Sequence, residues 1–159
     1  MGMSVSTQTS QMERPLEQRV SYRLARLHVK LNAQATRILR RHGGLTLVQW
    51  RVLVMLNAFT ETTVGQVARM TRFDKALISR TVKSLIRAGL VKARSDDADQ
   101  RQQLLSMTAS GARVFGAAAP HMYARQDALL ESMDAAQREA MFDALDRLEQ
   151  VADRADAFR

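Results

Sequence analysis

Residues 63–91 read Thr63-Val64-Gly65-Gln66-Val67-Ala68-Arg69-Met70-Thr71-Arg72-Phe73-Asp74-Lys75-Ala76-Leu77-Ile78-Ser79-Arg80-Thr81-Val82-Lys83-Ser84-Leu85-Ile86-Arg87-Ala88-Gly89-Leu90-Val91. Val64, Val67, Ala68 and Met70 have helical spacing, which predicts a short helix from Thr63 to Met70. Asp74 is an N-cap candidate for a second helix over Lys75–Ala88, closed by Gly89. Two helices joined by a tight turn form a helix-turn-helix, a motif whose second member can enter a major groove. On that second helix Lys75, Ser79, Arg80 and Lys83 are polar, and positions 75, 79, 82–83 and 86 are read as one shared face. An ordinary amphipathic helix with a solvated basic face is the plain alternative.

Past Gly89 the period shortens. Leu90–Arg94 alternates, residues 95–102 are polar, and Gln103–Met107 resumes, a pattern that predicts a β-hairpin. Asp99 and Arg101 lie at its tip. A narrow loop can carry an arginine into a minor groove, with a nearby carboxylate fixing the guanidinium.

On the N-terminal side, Val20, Leu24, Leu27, Leu31 and Ile38 form one narrow stripe on a long helix over Leu16–His42, stopped by Gly43-Gly44. Such a stripe calls for a partner helix. Thr46 is the candidate N-cap of the next helix, with Trp50, Leu53, Val54 and Leu56 on its buried side. On the C-terminal side, Thr108 opens an alanine-rich helix that Pro120 is expected to kink or interrupt. A last helix from about Asp134 places Met141, Leu145 and Leu148 on one face, widened by Phe142.

The fold class expected is therefore mainly α: a winged helix-turn-helix with a two-stranded wing over 44–108, a long helix over 16–43 and further helices over 109–159, whose apolar stripes either dimerisation or a monomeric helical bundle could bury. The segment 1–15 is expected to be disordered. Its first six residues fit an N-myristoylation pattern, but a polar disordered start is the better reading.

Charge supports a polyanionic partner. The chain carries 24 basic and 16 acidic residues. Residues 66–94 hold eight basic residues and one acidic residue, Asp74, whereas 109–159 hold six basic and nine acidic. A basic centre beside an acidic section suggests one surface for phosphates and another for protein. No apolar run exceeds five residues, far short of the roughly 20 that a membrane-spanning helix needs. The absence of cysteine excludes disulfides, thiolate metal sites and thiol redox sensing, and three scattered histidines argue against a metal cluster. No phosphate-binding Gly-rich loop, nucleophile triad or zinc-protease motif appears, so neither an enzyme nor a cofactor is expected.

The order Leu45-Thr46, Gln49-Trp50, Val52-Leu53, Asp74-Lys75, Ser79-Arg80, Leu85–Val91, Arg94, Asp99-Gln100-Arg101, Met107-Thr108 and Gly111 resembles the MarR family of bacterial winged-helix regulators. The resemblance runs from about Leu16 onward. It departs at Gln100, where the family has arginine, and at Met107, where it has leucine. It implies a cytoplasmic homodimer with interleaved first and last helices, bound to double-stranded DNA at a palindromic operator. Lys75, Ser79, Arg80, Lys83, Arg94, Asp99 and Arg101 would be the DNA-binding residues. The expected function is that of a ligand-responsive repressor released by a small anionic or aromatic effector, with an architectural DNA-binding dimer as the alternative. Effector candidates are Arg23, His28, Trp50 and Arg51, for which the plain alternatives are core packing (Trp50) and a satisfied helix-face histidine (His28).

Overall fold

Three consecutive helices open by the same chemistry. Thr46 Oγ1 accepts the Gln49 N–H at 3.2 Å while Gln49 Oε1 accepts the Thr46 N–H at 2.9 Å. Thr63 and Gln66 repeat the exchange at 3.2 and 2.9 Å. Asp74 Oδ1 accepts the Leu77 N–H at 3.0 Å. Each arrangement satisfies backbone donors that a helix start leaves without partners. The computed structural model describes residues 15–95 and 103–154. Over these the order is α1 (Val20–Gly43), α2 (Leu47–Phe59), α3 (Val64–Thr71), α4 (Lys75–Arg87), β1 (Val91–Ser95), β2 (Gln103–Met107), α5 (Ala109–Glu131) and α6 (Ala135–Ala152). The expected disorder of 1–15 falls, Pro15 apart, outside the described residues.

The chain divides into two compact units, Met1–Ala118 and Ala119–Arg159. In the first, Leu39 of α1, Val52, Leu53 and Leu56 of α2, Val67 of α3, Ile78 and Leu85 of α4 and Leu105 of β2 are all but fully buried. Burying one such side chain is worth about 1.5–3 kcal/mol, so this cluster holds the helix-turn-helix on its scaffold. β1 and β2 pair antiparallel with Val91 opposite Met107 and Ala93 opposite Leu105. Thr62, itself buried, adds a one-residue bridge to the far edge of β2: its N–H donates to Leu105 O at 3.1 Å and its carbonyl accepts from Leu105 N at 2.8 Å.

The turn out of α4 needs Gly89, whose φ is 69°. The return from the wing needs Gly111, because a Cβ there would stand 2.1 Å from Leu90 O and 2.7 Å from Met107 Cγ. Thr108 closes this junction. Its hydroxyl donates to Gly89 O at 2.7 Å and accepts from Gly111 N at 3.0 Å, and its N–H donates to Leu90 O at 3.1 Å.

Several sequence expectations shift. Leu16–Gln18 forms a separate 3-10 turn, and α1 proper begins at Val20. The buried residues of α1 are Ala35 and Leu39, while Val20, Leu24 and Leu27 are exposed and Leu31 and Ile38 are half-buried. Val52 takes the fully buried place on α2 that Val54 was expected to fill, and Met70 is exposed. α5 is not interrupted at Pro120, where the preceding alanines favour helix and only one backbone hydrogen bond is forfeited. In the second unit, α6 opens on an Asp134–Gln137 capping box and buries none of its residues.

Gly111→Ala should destabilise the protein by about 1–3 kcal/mol or more, read from denaturant unfolding, because backbone must move to admit the methyl group. Gly116→Ala, where a Cβ meets nothing within 4 Å in the interior of α5, should instead be neutral or stabilising by up to about 1 kcal/mol. Equal effects at the two sites would contradict the close approach at Gly111.

Candidate nucleic-acid interface

α4 presents two distinct sides. Ile78, Val82 and Leu85 are buried; Lys75, Ala76, Arg80, Lys83, Ile86 and Arg87 are exposed; Ser79 is half-buried. The face read from the sequence is therefore rotated. Val82 belongs to the core, and the exposed stripe runs Ala76-Arg80-Lys83-Arg87, spaced four, three and four residues apart as a helix face requires. Arg80, Lys83, Ile86 and Arg87 together line an open groove of about 470 Å³. Arg87 was missed by sequence reasoning, although its place four residues after Lys83 marks it as part of the stripe.

Contacts from α2 hold this helix in place. Gln49, having capped α2, donates from Nε2 to Ser84 Oγ at 3.2 Å. Arg51 lays its guanidinium 4.8 Å from the ring centroid of Phe73, which lies in the turn between α3 and α4. Trp50 stacks on Phe115 at 4.9 Å with the rings 10° apart. Two of the four effector candidates are thus engaged in ring contacts with Phe73 and Phe115, partners the sequence did not single out. The other two stand exposed on α1. Arg23 Nη1 donates to Glu17 O at 3.4 Å, and His28 Nε2 lies 2.7 Å from Asn32 Nδ2.

Arg94, on β1, pairs with Glu61. Its Nε and Nη2 donate to Glu61 Oε1 and Oε2 at 3.1 and 2.9 Å, and its Nη1 donates to Ser95 O at 3.3 Å. Glu61 precedes Thr62, which bridges the far edge of β2, so the Arg94 side chain crosses β2 to reach it. The hydrogen bonds from Arg94 hold the Glu61 carboxyl below its ordinary pKa; partial desolvation opposes this, and the charges of Arg94 and Lys92 reinforce it. Asp99 and Arg101, the wing-tip candidates, lie outside the described residues. Among the described residues no group of His, Cys, Asp and Glu could hold a metal ion, and no helix is long and apolar enough to cross a membrane.

NMR titration should place Glu61 below the usual glutamate pKa, and Arg94→Ala should raise it back. Because the folded-state value is the depressed one, the pair's contribution to stability is complete above the unfolded pKa. It is lost as pH falls through Glu61's own lower value. A Glu61 pKa indifferent to Arg94→Ala would contradict the pairing.

Residues 43–102 match the model of the MarR family. Among solved structures, the chain is similar to MepR of S. aureus in complex with DNA, at 19% identity and a TM-score of 0.80 over 86% of this chain and 98% of that one. It is similar to the PcaV transcriptional regulator of Streptomyces coelicolor in complex with its natural ligand, at 23% identity and a TM-score of 0.74 over 87% and 97%. It is also similar to BpsR of Bordetella bronchiseptica, whose DNA binding is regulated by 6-hydroxynicotinic acid, at 20% identity and a TM-score of 0.72 over 86% and 96%. No curated protein sequence matches the chain. The helix-turn-helix, the first wing strand and the basic face of α4 all fall within residues 43–102, the stretch that matches the MarR family model, and the chain has the fold of solved MarR-family transcription regulators.

Proposed function

We propose that this protein is a homodimeric, sequence-specific DNA-binding regulator that represses transcription until a small anionic or aromatic effector releases it. The observation that carries this reading is the exposed Arg80-Lys83-Arg87 stripe on the second helix of the helix-turn-helix. Arginine and lysine can donate to guanine edges and phosphates, and a helix of this kind fits a major groove. Lys75 and Ser79 extend the same side of α4 toward its N-terminus. In this reading Arg94 contacts the phosphate backbone, and Arg101, steadied by Asp99, enters the minor groove.

The effector is supported by likeness to the ligand-bound PcaV structure and to BpsR. Arg23 and His28 are the exposed candidates on this chain. Arg51 acts through its contact with Phe73 in the helix-turn-helix turn, and Trp50 through its stack on Phe115 of α5. Two-fold symmetry of the protein implies a palindromic operator with half-sites about one helical turn, roughly 10 base pairs, apart.

Selection of bound sequences from random DNA should return such a palindrome; uniform affinity across sequences would favour the architectural alternative. Arg80→Ala should weaken operator binding by about 1–3 kcal/mol and relax preference at one base position, as expected of a guanine contact. An unchanged affinity and preference would remove Arg80 from the interface.

The dimer is supported by apolar side chains left in solvent: Val20 is 53% and Leu27 51% exposed on α1, and Phe142 is 50% exposed on α6. Single chains seldom leave such stripes uncovered. Sedimentation at micromolar concentration should show a dimer, and truncation before α6 should give insoluble or unfolded protein. A folded, soluble monomer would overturn this.

A further inference from the structure

Between Gly44 and Ser95 the sequence holds only two acidic residues, Glu61 and Asp74. Asp74 is committed to the start of α4, where it accepts the Leu77 N–H. Glu61 caps no helix. Its two oxygens instead take the Nε and Nη2 donors of Arg94 side by side, at 3.1 and 2.9 Å. This is the geometry in which a guanidinium would also grip a phosphate. The match is positional as well. With adjacent strands about 4.7–4.9 Å apart, a side chain that leaves β1 and crosses β2 lies along the sheet rather than projecting from it.

We propose that Glu61 is a specificity-determining counter-charge: it holds Arg94 across the wing and so limits sequence-independent binding to DNA. The proposal rests on the DNA-binding reading above, and specifically on Arg94 as a backbone contact. The pair is half exposed, with side-chain exposures of 50% for Arg94 and 40% for Glu61. Pairs so open to water are weak and cheap to break. On an operator, base contacts from α4 hold the duplex close enough for a phosphate to replace Glu61. On other DNA the duplex is held loosely, the pair stays closed, and the wing base contributes one positive charge fewer. Lys92 on β1 faces the same carboxylate, and Arg69 on α3 lines a cavity of about 260 Å³ with it. Glu61 therefore feels the charge of two cations, Arg94 and Lys92, and hydrogen-bonds Arg94. A role confined to bracing the wing is already served by the two backbone hydrogen bonds between Thr62 and Leu105.

The test compares the full-length protein with Glu61→Gln and Glu61→Asp, measuring affinity for selected operator and for a random duplex across a salt series. Glu61→Gln keeps the shape and removes the charge. It should raise random-duplex affinity about five- to ten-fold near 0.1 M salt and steepen the salt slope by about one for each wing engaged. Operator affinity should rise less, so the specificity ratio falls. Glu61→Asp, which keeps the charge, should leave random-duplex binding low. Unchanged or weaker random-duplex binding by Glu61→Gln, with an unchanged slope, overturns the proposal. A loss of binding accompanied by a lowered Tm would identify Glu61 as a brace instead. A wild-type protein that binds neither duplex would overturn the DNA-binding reading itself, an outcome distinct from the failure of Glu61 alone.

Discussion

The hydroxyl of Thr108 is the point on which the winged unit closes. One side chain joins the turn after α4, the end of β2 and the first turn of α5, donating to Gly89 O and accepting from Gly111 N. The close passage of Gly111 over Leu90 O makes the same junction possible, since a side chain there would push the wing away from the helix it follows. Without this knot the hairpin would be a two-stranded ribbon, marginal by itself in water. With it, and with Thr62 adding a third edge, the wing has a fixed base and α4 has a fixed end.

The helix-turn-helix was legible in the sequence because its signals are local. Asp74 caps the helix it was expected to cap, and the hairpin strands fall on Val91–Ser95 and Gln103–Met107. What escaped depended on contacts between distant residues. Thr62 is a strand one residue long, which no periodicity can announce. Glu61 and Arg94 lie 33 residues apart, and Gln49 and Ser84 lie 35 apart. The face of α4 was misjudged by roughly one position because polar Ser79 and apolar Val82 were placed on one shared face, and only packing separates them. Met70 illustrates the converse: helical spacing marks an apolar residue as core even where no neighbouring element arrives to cover it.

The charge division also acquires a structural meaning. The basic residues of α4 and β1 belong to the first compact unit, and all nine acidic residues beyond residue 109 belong to the second, where α6 buries nothing. In the dimer proposed above, the exposed apolar side chains of α1 and of α6 serve association with another chain, and the basic residues of α4 serve DNA. Separation of this kind lets one surface vary without disturbing the other.

The two anchors from α2 onto the helix-turn-helix have a mechanical consequence. Arg51 grips the turn before α4 through Phe73, and Gln49 grips Ser84, near the other end of the helix. Contacts at two separated points resist pivoting of α4 against α2 and couple the two helices. On the DNA-binding reading proposed above, changing which bases are read is then a matter of exchanging the side chains at 80, 83 and 87. Changing whether they are read is, on the same reading, a matter of shifting the two helices together.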